Sequence, residues 1–265
     1  MNDGTLTFDN LLCDVRGLIA TVTLNRPKVL NALNAATFDD LESVFGTLAA
    51  EDSVRVILLT GSGEKAFAAG ADINELAAAD GPAGQKISER GQQVFLQIEN
   101  CGKPVIACVN GFALGGGCEL ALCADYIFAA EHAKFGQPET NLGLMPGFGG
   151  TQRLSRRVGL ARARELVYSA EPISAAQALV IGLANRVLPI SELMTQCEQH
   201  ARRIAQQAPL AVAASKRALN HGYDADLASA CELEATAFGA LFATEDAQAG
   251  LTAFLEKRRA TYQAR

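Results

Sequence analysis

Two glutamates and two glycine-rich turns, all between Pro104 and Arg153, are the residues best placed to do chemistry in this sequence. Glu119 stands alone in an apolar segment, two residues after Gly115-Gly116-Gly117. Glu139 follows in Gly136-Gln137-Pro138-Glu139, and Pro146-Gly147-Phe148-Gly149-Gly150 closes the stretch. A carboxylate amid Cys118, Leu120, Ala121 and Leu122 must be paired, protonated or catalytic, because burying a bare charge is costly. A buried structural ion pair stays open on these residues alone.

The elements around this stretch suggest how it is held. Val105–Val109 reads as a buried strand, and Glu119–Ala124 as the first turns of a buried helix. The glycines between them let the backbone approach a ligand closely. A helix start leaves N–H groups unpaired and adds partial positive charge, which suits a phosphate, a carboxylate or a developing oxyanion. A tight turn that needs glycine only for packing is the competing reading. Ala66-Phe67-Ala68-Ala69-Gly70-Ala71-Asp72-Ile73 is a second run of small residues between a strand and a helix, where Ala71 or a neighbour could expose another N–H.

Elsewhere, Leu11–Val15 and Leu18–Leu24 read as two strands joined at Arg16-Gly17. Asn34 reads as the cap of a helix to about Glu51, with Phe38, Leu41, Val44, Phe45 and Leu48 on one stripe. Val54–Thr60 has the apolar character of a strand covered on both faces. Asp80–Gly84 reads as a mobile surface loop, with helix from Gln85 to Asn100. Val158–Ala170 reads as one helix, a second starts at Ser174 and ends at Gly182, and Asn185–Leu188 is a short strand. From Ser191 onward the pattern is helical, interrupted at Pro209 and His221-Gly222. The expectation is an α/β unit of strand–helix repeats over 1–190, followed by a helical region over 191–265.

Composition narrows the function classes. The 265 residues are 49% hydrophobic with a net charge of −6, so no basic field exists to attract nucleic acid or anionic lipid. Seven cysteines with no C-x-x-C pair fit a reducing compartment, and a cytoplasmic location is expected. The N-terminal MNDGTLTFDNLLCDVRG has no apolar signal core, and Val105–Cys118 is shorter than the roughly 20 residues of a membrane helix. Gly61-Ser62-Gly63 lacks the third glycine of a dinucleotide fingerprint, since residue 66 is alanine, and no G-K-[ST] completes a phosphate loop. No G-x-S-x-G occurs, and His132, His200 and His221 have no ligand spacing, so neither a serine nucleophile nor a metal is expected.

The motifs FAAGADI at 67–73, VNGFALGGGCELALCAD at 109–125 and FGQPETNLGLMPGFGGTQRL at 135–154, taken in this order, resemble the enoyl-CoA hydratase/isomerase (crotonase) superfamily. Within it the chain looks most like the short-chain enoyl-CoA hydratases. The likeness runs from TVTLNRP at 21–27 to FLEKR at 254–258. It implies a crotonase-like spiral of ββα turns with a C-terminal helical trimerisation region, giving a homotrimer or a homohexamer. The oxyanion hole of relatives aligns with the N–H groups of Ala71 and Gly116, and the two hydratase glutamates with Glu119 and Glu139. Gly147 matches a glycine beside the reacting carbons, while Lys28, Leu30, Ala69, Asp72, Ile73 and Lys257 match positions along the CoA moiety.

The implied reaction is syn addition of water across the 2,3 double bond of a 2-enoyl-CoA thioester. Glu119 would chiefly activate the water and Glu139 would chiefly protonate C2, with no metal and no cofactor, CoA being part of the substrate. Isomerases of the superfamily usually keep only one acidic position, and its RNA-binding members call for a basic surface. Two residues depart from common hydratase patterns: Asn74 stands where many carry lysine, and Phe148 where alanine is frequent.

Overall fold

The computed structural model describes residues 6–265; residues 1–5, where part of the N-terminal reading falls, lie outside them. The chain opens with β1 (Leu6–Thr7), β2 (Leu11–Arg16) and β3 (Ile19–Leu24), then α1 (Ala35–Ala50), β4 (Val56–Gly61) and β5 (Ala66–Ala68). Helices α2 (Ile73–Ala77) and α3 (Gly81–Glu99) lead to β6 (Val105–Val109), β7 (Phe112–Leu114) and α4 (Gly116–Leu122). Strands β8 (Tyr126–Ala130) and β9 (Lys134–Gly136) precede α5 (Gly150–Val158) and α6 (Leu160–Ser169). Then come β10 (Ile173–Ser174), α7 (Ala175–Val180) and β11 (Arg186–Leu188). Four helices end the chain: α8 (Ile190–Ala205), α9 (Pro209–Gly222), α10 (Leu227–Leu241) and α11 (Glu245–Leu255).

Two sheets share the strands. The larger runs β1-β2-β3-β4-β6-β8-β11 and the smaller β10-β9-β7-β5. Beyond the β2–β3 hairpin the large sheet is parallel, and so are β5, β7 and β9 in the small one. Each turn of the chain therefore places one strand in the large sheet, the next in the small sheet, and then a helix. This is the spiral of ββα turns, repeated through β4–β5, β6–β7 and β8–β9. Strands β4 and β6 are buried along their whole length because both faces are covered. Helix α8 packs on the large sheet with Leu193, Cys197, Ala201 and Ala205, so the large sheet reaches across residue 190 for its cover.

Asn110, at the turn between β6 and β7, joins the sheets. It is 5% exposed; its Nδ2 donates to the carbonyls of Gly61 (2.9 Å) and Gly63 (2.6 Å), and its Oδ1 accepts from the Gly61 N–H (3.1 Å). The same crossing from β4 to β5 is tied by buried Asn31, whose Nδ2 donates to the carbonyls of Ser62 and Ala66.

Three local expectations need correction. Asp80–Gly84 is not a loop. Asp80 caps α3 by accepting from the Ala83 N–H (2.9 Å), and Pro82 sits in the first turn, where its missing N–H costs nothing. The expected helix over Val158–Ala170 is α6 and starts two residues later, at Leu160, because Gly159 at φ 81° ends a separate helix, α5, that begins at Gly150. Helix α4 starts at Gly116, not Glu119, so the glycines open the helix, and β7 intervenes before it. By contrast the Asn34 cap and the buried stripe of α1 lie where the sequence puts them.

Asn110→Ala removes the donor to the Gly61 carbonyl at the end of β4 and to the Gly63 carbonyl in the crossing. It is expected to lower the unfolding free energy by about 3 kcal/mol, read from urea denaturation with an unchanged m-value.

Candidate active site

The small sheet delivers the site. In it, Ala68 pairs with Ala113 and Leu114 with Gly136, so β5, β7 and β9 end side by side. Three residues past the end of β5 comes Ala71; two past β7 comes Gly116, and five past it Glu119; three past β9 comes Glu139. Parallel strands thus present all four residues at their carboxyl ends, where open α/β sheets offer a crevice. A cavity of about 530 Å³ opens there, lined by Ala71, Gly116, Glu119 and Glu139. Ala69, Ile73, Leu142, Met145, Gly147 and Phe148 give it apolar walls.

The two N–H groups are left free by local structure. A parallel bridge joins Leu33 to Ala71: the Leu33 N–H donates to the Gly70 carbonyl and the Asp72 N–H to the Leu33 carbonyl, both at 2.8 Å. The bridge uses the groups on either side of Ala71, and the Ala71 N–H itself has no acceptor among the described residues. Gly116, as the first residue of α4, has none either. The donors are neighbours, since a Cβ on Gly116 would lie 3.4 Å from the Ala71 nitrogen. Gly115, at φ 51°, makes the turn into α4, and a side chain there would meet the Glu139 carboxylate at 2.8 Å.

Glu119 is 1% exposed and forms no salt bridge among the described residues, although the Arg153 charge acts on it. Its Oε1 accepts from the N–H groups of Phe148 (2.8 Å) and Gly150 (2.6 Å). Both bonds go to one oxygen; Oε2 has no protein partner among the described residues. Burial and then the charge of Glu139 push its carboxyl up to about 7, against the pull of these N–H groups and of Arg153. Glu139, half-buried in the 3-10 turn Pro138–Leu142, is also pushed up to about 7 by burial. Gln137 is fully buried, and with its amide nitrogen turned to the carboxylate it donates to both oxygens of Glu139 at 3.1 and 3.2 Å.

Not every residue expected at the site lies in this cavity. Ala69, Ile73 and Gly147 line it, whereas Lys28 and Leu30 sit on exposed backbone at the 3-10 turn Pro27–Val29, with the Leu30 carbonyl accepting from the Ala69 N–H (3.0 Å). Asp72 faces away: it caps α2 and pairs with Arg26 at 3.1 Å. Lys257 follows the end of α11 and is exposed outside the cavity. Asn74 donates to Asp72 (3.2 Å), and the Phe148 ring packs edge-on against Phe38 and Phe95. Motif reading passed over Gln137 as a support. Its signal was local: a carboxamide at the end of a buried strand, two residues from an acid.

A sequence model described as "Enoyl-CoA hydratase/isomerase" matches residues 14–265. The chain belongs to that family. It is 47% identical over 254 residues to the short-chain-enoyl-CoA hydratase of Clostridium acetobutylicum, covering 96% of this chain and 97% of that protein. To the crotonyl-CoA hydratase of Syntrophomonas wolfei it is 46% identical over 257 residues, covering 97% and 99%. The 1.8 Å crystal structure of enoyl-CoA hydratase from Bacillus anthracis superposes with a TM-score of 0.94 at 38% identity, covering 97% of this chain and 100% of that one. The likeness carried by the motifs, and the crotonase-like fold it implied, are borne out.

The raised carboxyl of Glu119 has a consequence for stability. A folded value of about 7 against an ordinary 4.5 means burial favours the neutral form. That contribution is full below pH 4.5 and lost as pH rises through 7. Glu119→Gln, which keeps an acceptor for both N–H groups, should therefore be more stable than wild type by about 3 kcal/mol at pH 8 and nearly equal at pH 4.5. Unfolding followed at both pH values checks it; a pH-independent difference would refute it.

Proposed function

We propose that this protein is a short-chain enoyl-CoA hydratase, a hydro-lyase that adds water across the 2,3 double bond of a 2-enoyl-CoA thioester to give the 3-hydroxyacyl-CoA. One observation carries this assignment: two carboxyl groups, both shifted to about 7, share one cavity with two free backbone N–H groups. The printed names of the relatives, short-chain-enoyl-CoA and crotonyl-CoA hydratase, support the substrate class.

In the proposed mechanism the thioester carbonyl accepts from the N–H groups of Ala71 and Gly116. As water attacks C3, charge collects on that oxygen, and each preorganised donor is worth about 3 kcal/mol of barrier. Glu119 takes the proton from water. Its Oε1 is held by two N–H groups, which favour the charged form, while Oε2 is left to accept. Glu139, partnered by a neutral amide, donates to C2 from the same side, giving syn addition. The apolar walls exclude bulk water and strengthen these interactions. Hydration transfers no electrons, so the reaction calls for no redox cofactor, and CoA enters as part of the substrate.

Further expectations belong to the same proposal. CoA binding would involve Lys28, Leu30, Ala69, Asp72 and Ile73, with Lys257 reaching the phosphates. Assembly as a trimer or hexamer is favoured by Leu227, Phe238, Phe254 and Leu255, which are 79%, 63%, 82% and 81% exposed in the single chain. Residues 1–190 would carry the site and 191–265 the assembly surface. A cytoplasmic location is supported by seven unpaired cysteines, six of them buried. No helix among the described residues is long and apolar enough to cross a membrane.

The test is the loss of enoyl-thioester absorbance in crotonyl-CoA. Wild type should remove it rapidly, and Glu119→Gln and Glu139→Gln should each lower kcat by about 10²- to 10⁴-fold. Activity surviving either substitution would displace the two-carboxylate site; none with folded wild type would displace the hydratase assignment.

The pH profile is a separate check. With both groups near 7 the pair titrates as a unit, and the reactive form holds one proton. The rate should fall at low pH, where no base remains, and at high pH, where no proton donor remains. A plateau continuing well above pH 8 would exclude a carboxylic acid as donor.

A further inference from the structure

The turn that grips Glu119 contains three glycines in four residues, Gly147-Phe148-Gly149-Gly150, and has little stiffness of its own. Its rigidity comes from side chains outside the turn. The Gly147 carbonyl accepts from Ser88 Oγ (2.5 Å) and Gln92 Nε2 (2.9 Å) on α3. That carbonyl and the Phe148 N–H belong to one peptide unit, so α3 fixes one edge of a peptide whose other edge holds Glu119. The next carbonyl, Phe148 O, accepts from Nη1 of Arg153 at 3.0 Å. The same guanidinium donates through Nε and Nη2 to Glu99 Oε2, at 3.0 and 2.8 Å. Asn220 on α9 holds the Glu99 carbonyl in turn, at 3.1 Å.

Arg153 does not touch the cavity; its side chain is 11% exposed and packs behind the turn. Gly149 lies directly beneath it: the backbone there is at φ 97°, and a Cβ would run into Arg153 Nη1. We propose that Arg153, braced by Glu99, is a positioning residue for Glu119, locking the glycine turn so that its two N–H groups stay aimed at one carboxylate oxygen. A planar fork is needed, because one side chain must reach a carbonyl and a carboxylate in different directions at once. A lysine ammonium at this place meets one acceptor well and the other poorly.

The charged and titratable groups facing Glu119 are few. Glu139 faces it from the 3-10 turn and Arg153 from α5, with Glu99 behind the arginine; the neighbouring Cys118 thiol on α4 is held neutral by burial. Loss of Arg153 removes a positive charge and loosens two N–H donors. Both changes favour the protonated form of Glu119, so they act in the same direction.

Two readouts test this, and only the kinetic one rests on the hydratase assignment. The first is an infrared titration of the Glu119 carboxyl, identified as the band missing from Glu119→Gln, which needs no substrate. Arg153→Met should move its midpoint up by about one unit. The second is turnover of crotonyl-CoA, where kcat should fall by about ten- to a hundredfold with KM little changed, since a mis-set base is lost and a binding contact is not. Arg153→Lys, which keeps charge and most of the volume, should restore most of the midpoint but only part of kcat. A folded Arg153→Met with the wild-type midpoint and kcat overturns the proposal. So does a fall in activity that merely tracks a fall in folded protein while the midpoint stays fixed. If Arg153→Met does not fold, wild-type kcat in Arg153→Lys has the same force.

Discussion

Glu119 is a carboxylate carried into a protein interior without a direct ion pair among the described residues, and much of the architecture answers that constraint. An uncompensated buried charge costs several kcal/mol, far more than a small enzyme can spare. Two charge-assisted bonds from backbone N–H groups, at about 1.5–3 kcal/mol each, offset part of that cost. Had a lysine stood there instead, the carboxyl would sit well below the usual range and make a poor base. Had no donors been present, it would be a neutral acid. Partial compensation leaves it at about 7, where a proton can be gained or lost at ordinary pH.

Partial compensation requires donors that cannot drift, and the fold supplies this through sheet register. The parallel pairing of β5, β7 and β9 fixes where each chain segment leaves the sheet, so the free N–H of Ala71, the start of α4 and the turn bearing Glu139 are set relative to one another by backbone hydrogen bonds. Buried Asn31 and Asn110 then hold the crossings between the two sheets, satisfying carbonyls that a change of sheet would otherwise orphan. Side chains do not have to find the geometry. It is present once the strands pair.

This division explains what was legible in the sequence. Local signals were readable: the Asn34 cap, the apolar stripe of α1, the buried strands β4 and β6, and a lone acid in an apolar segment all follow from short-range chemistry. Asp80-Gly81-Pro82 was misread because Asp, Gly and Pro serve turns and helix starts alike; what decides is the nineteen-residue helix that follows and packs on α1. Helix α5 went unread because it opens on Gly149-Gly150, residues that signal a turn rather than a helix start. The short strands β7 and β9, at three residues each, carry no periodicity, yet they make the site. Their pairing is non-local, so no window of sequence contains it. The candidate catalytic positions came instead from motif resemblance, which records the outcome of that pairing without its cause.

The two carboxyl groups also differ in a way that bears on their roles. Glu119 is gripped at one oxygen by main-chain N–H groups on a clamped turn, so its free oxygen has a fixed direction. Glu139 sits on a half-buried 3-10 turn against a single side-chain amide, a softer mount. In the proposed hydration, water attacking C3 must be aimed along a narrow approach, which suits the rigid mount. Proton delivery to C2 follows as charge builds and tolerates some movement of the donor. In the proposed mechanism, this difference in stiffness is what lets two chemically identical residues take different parts in one step.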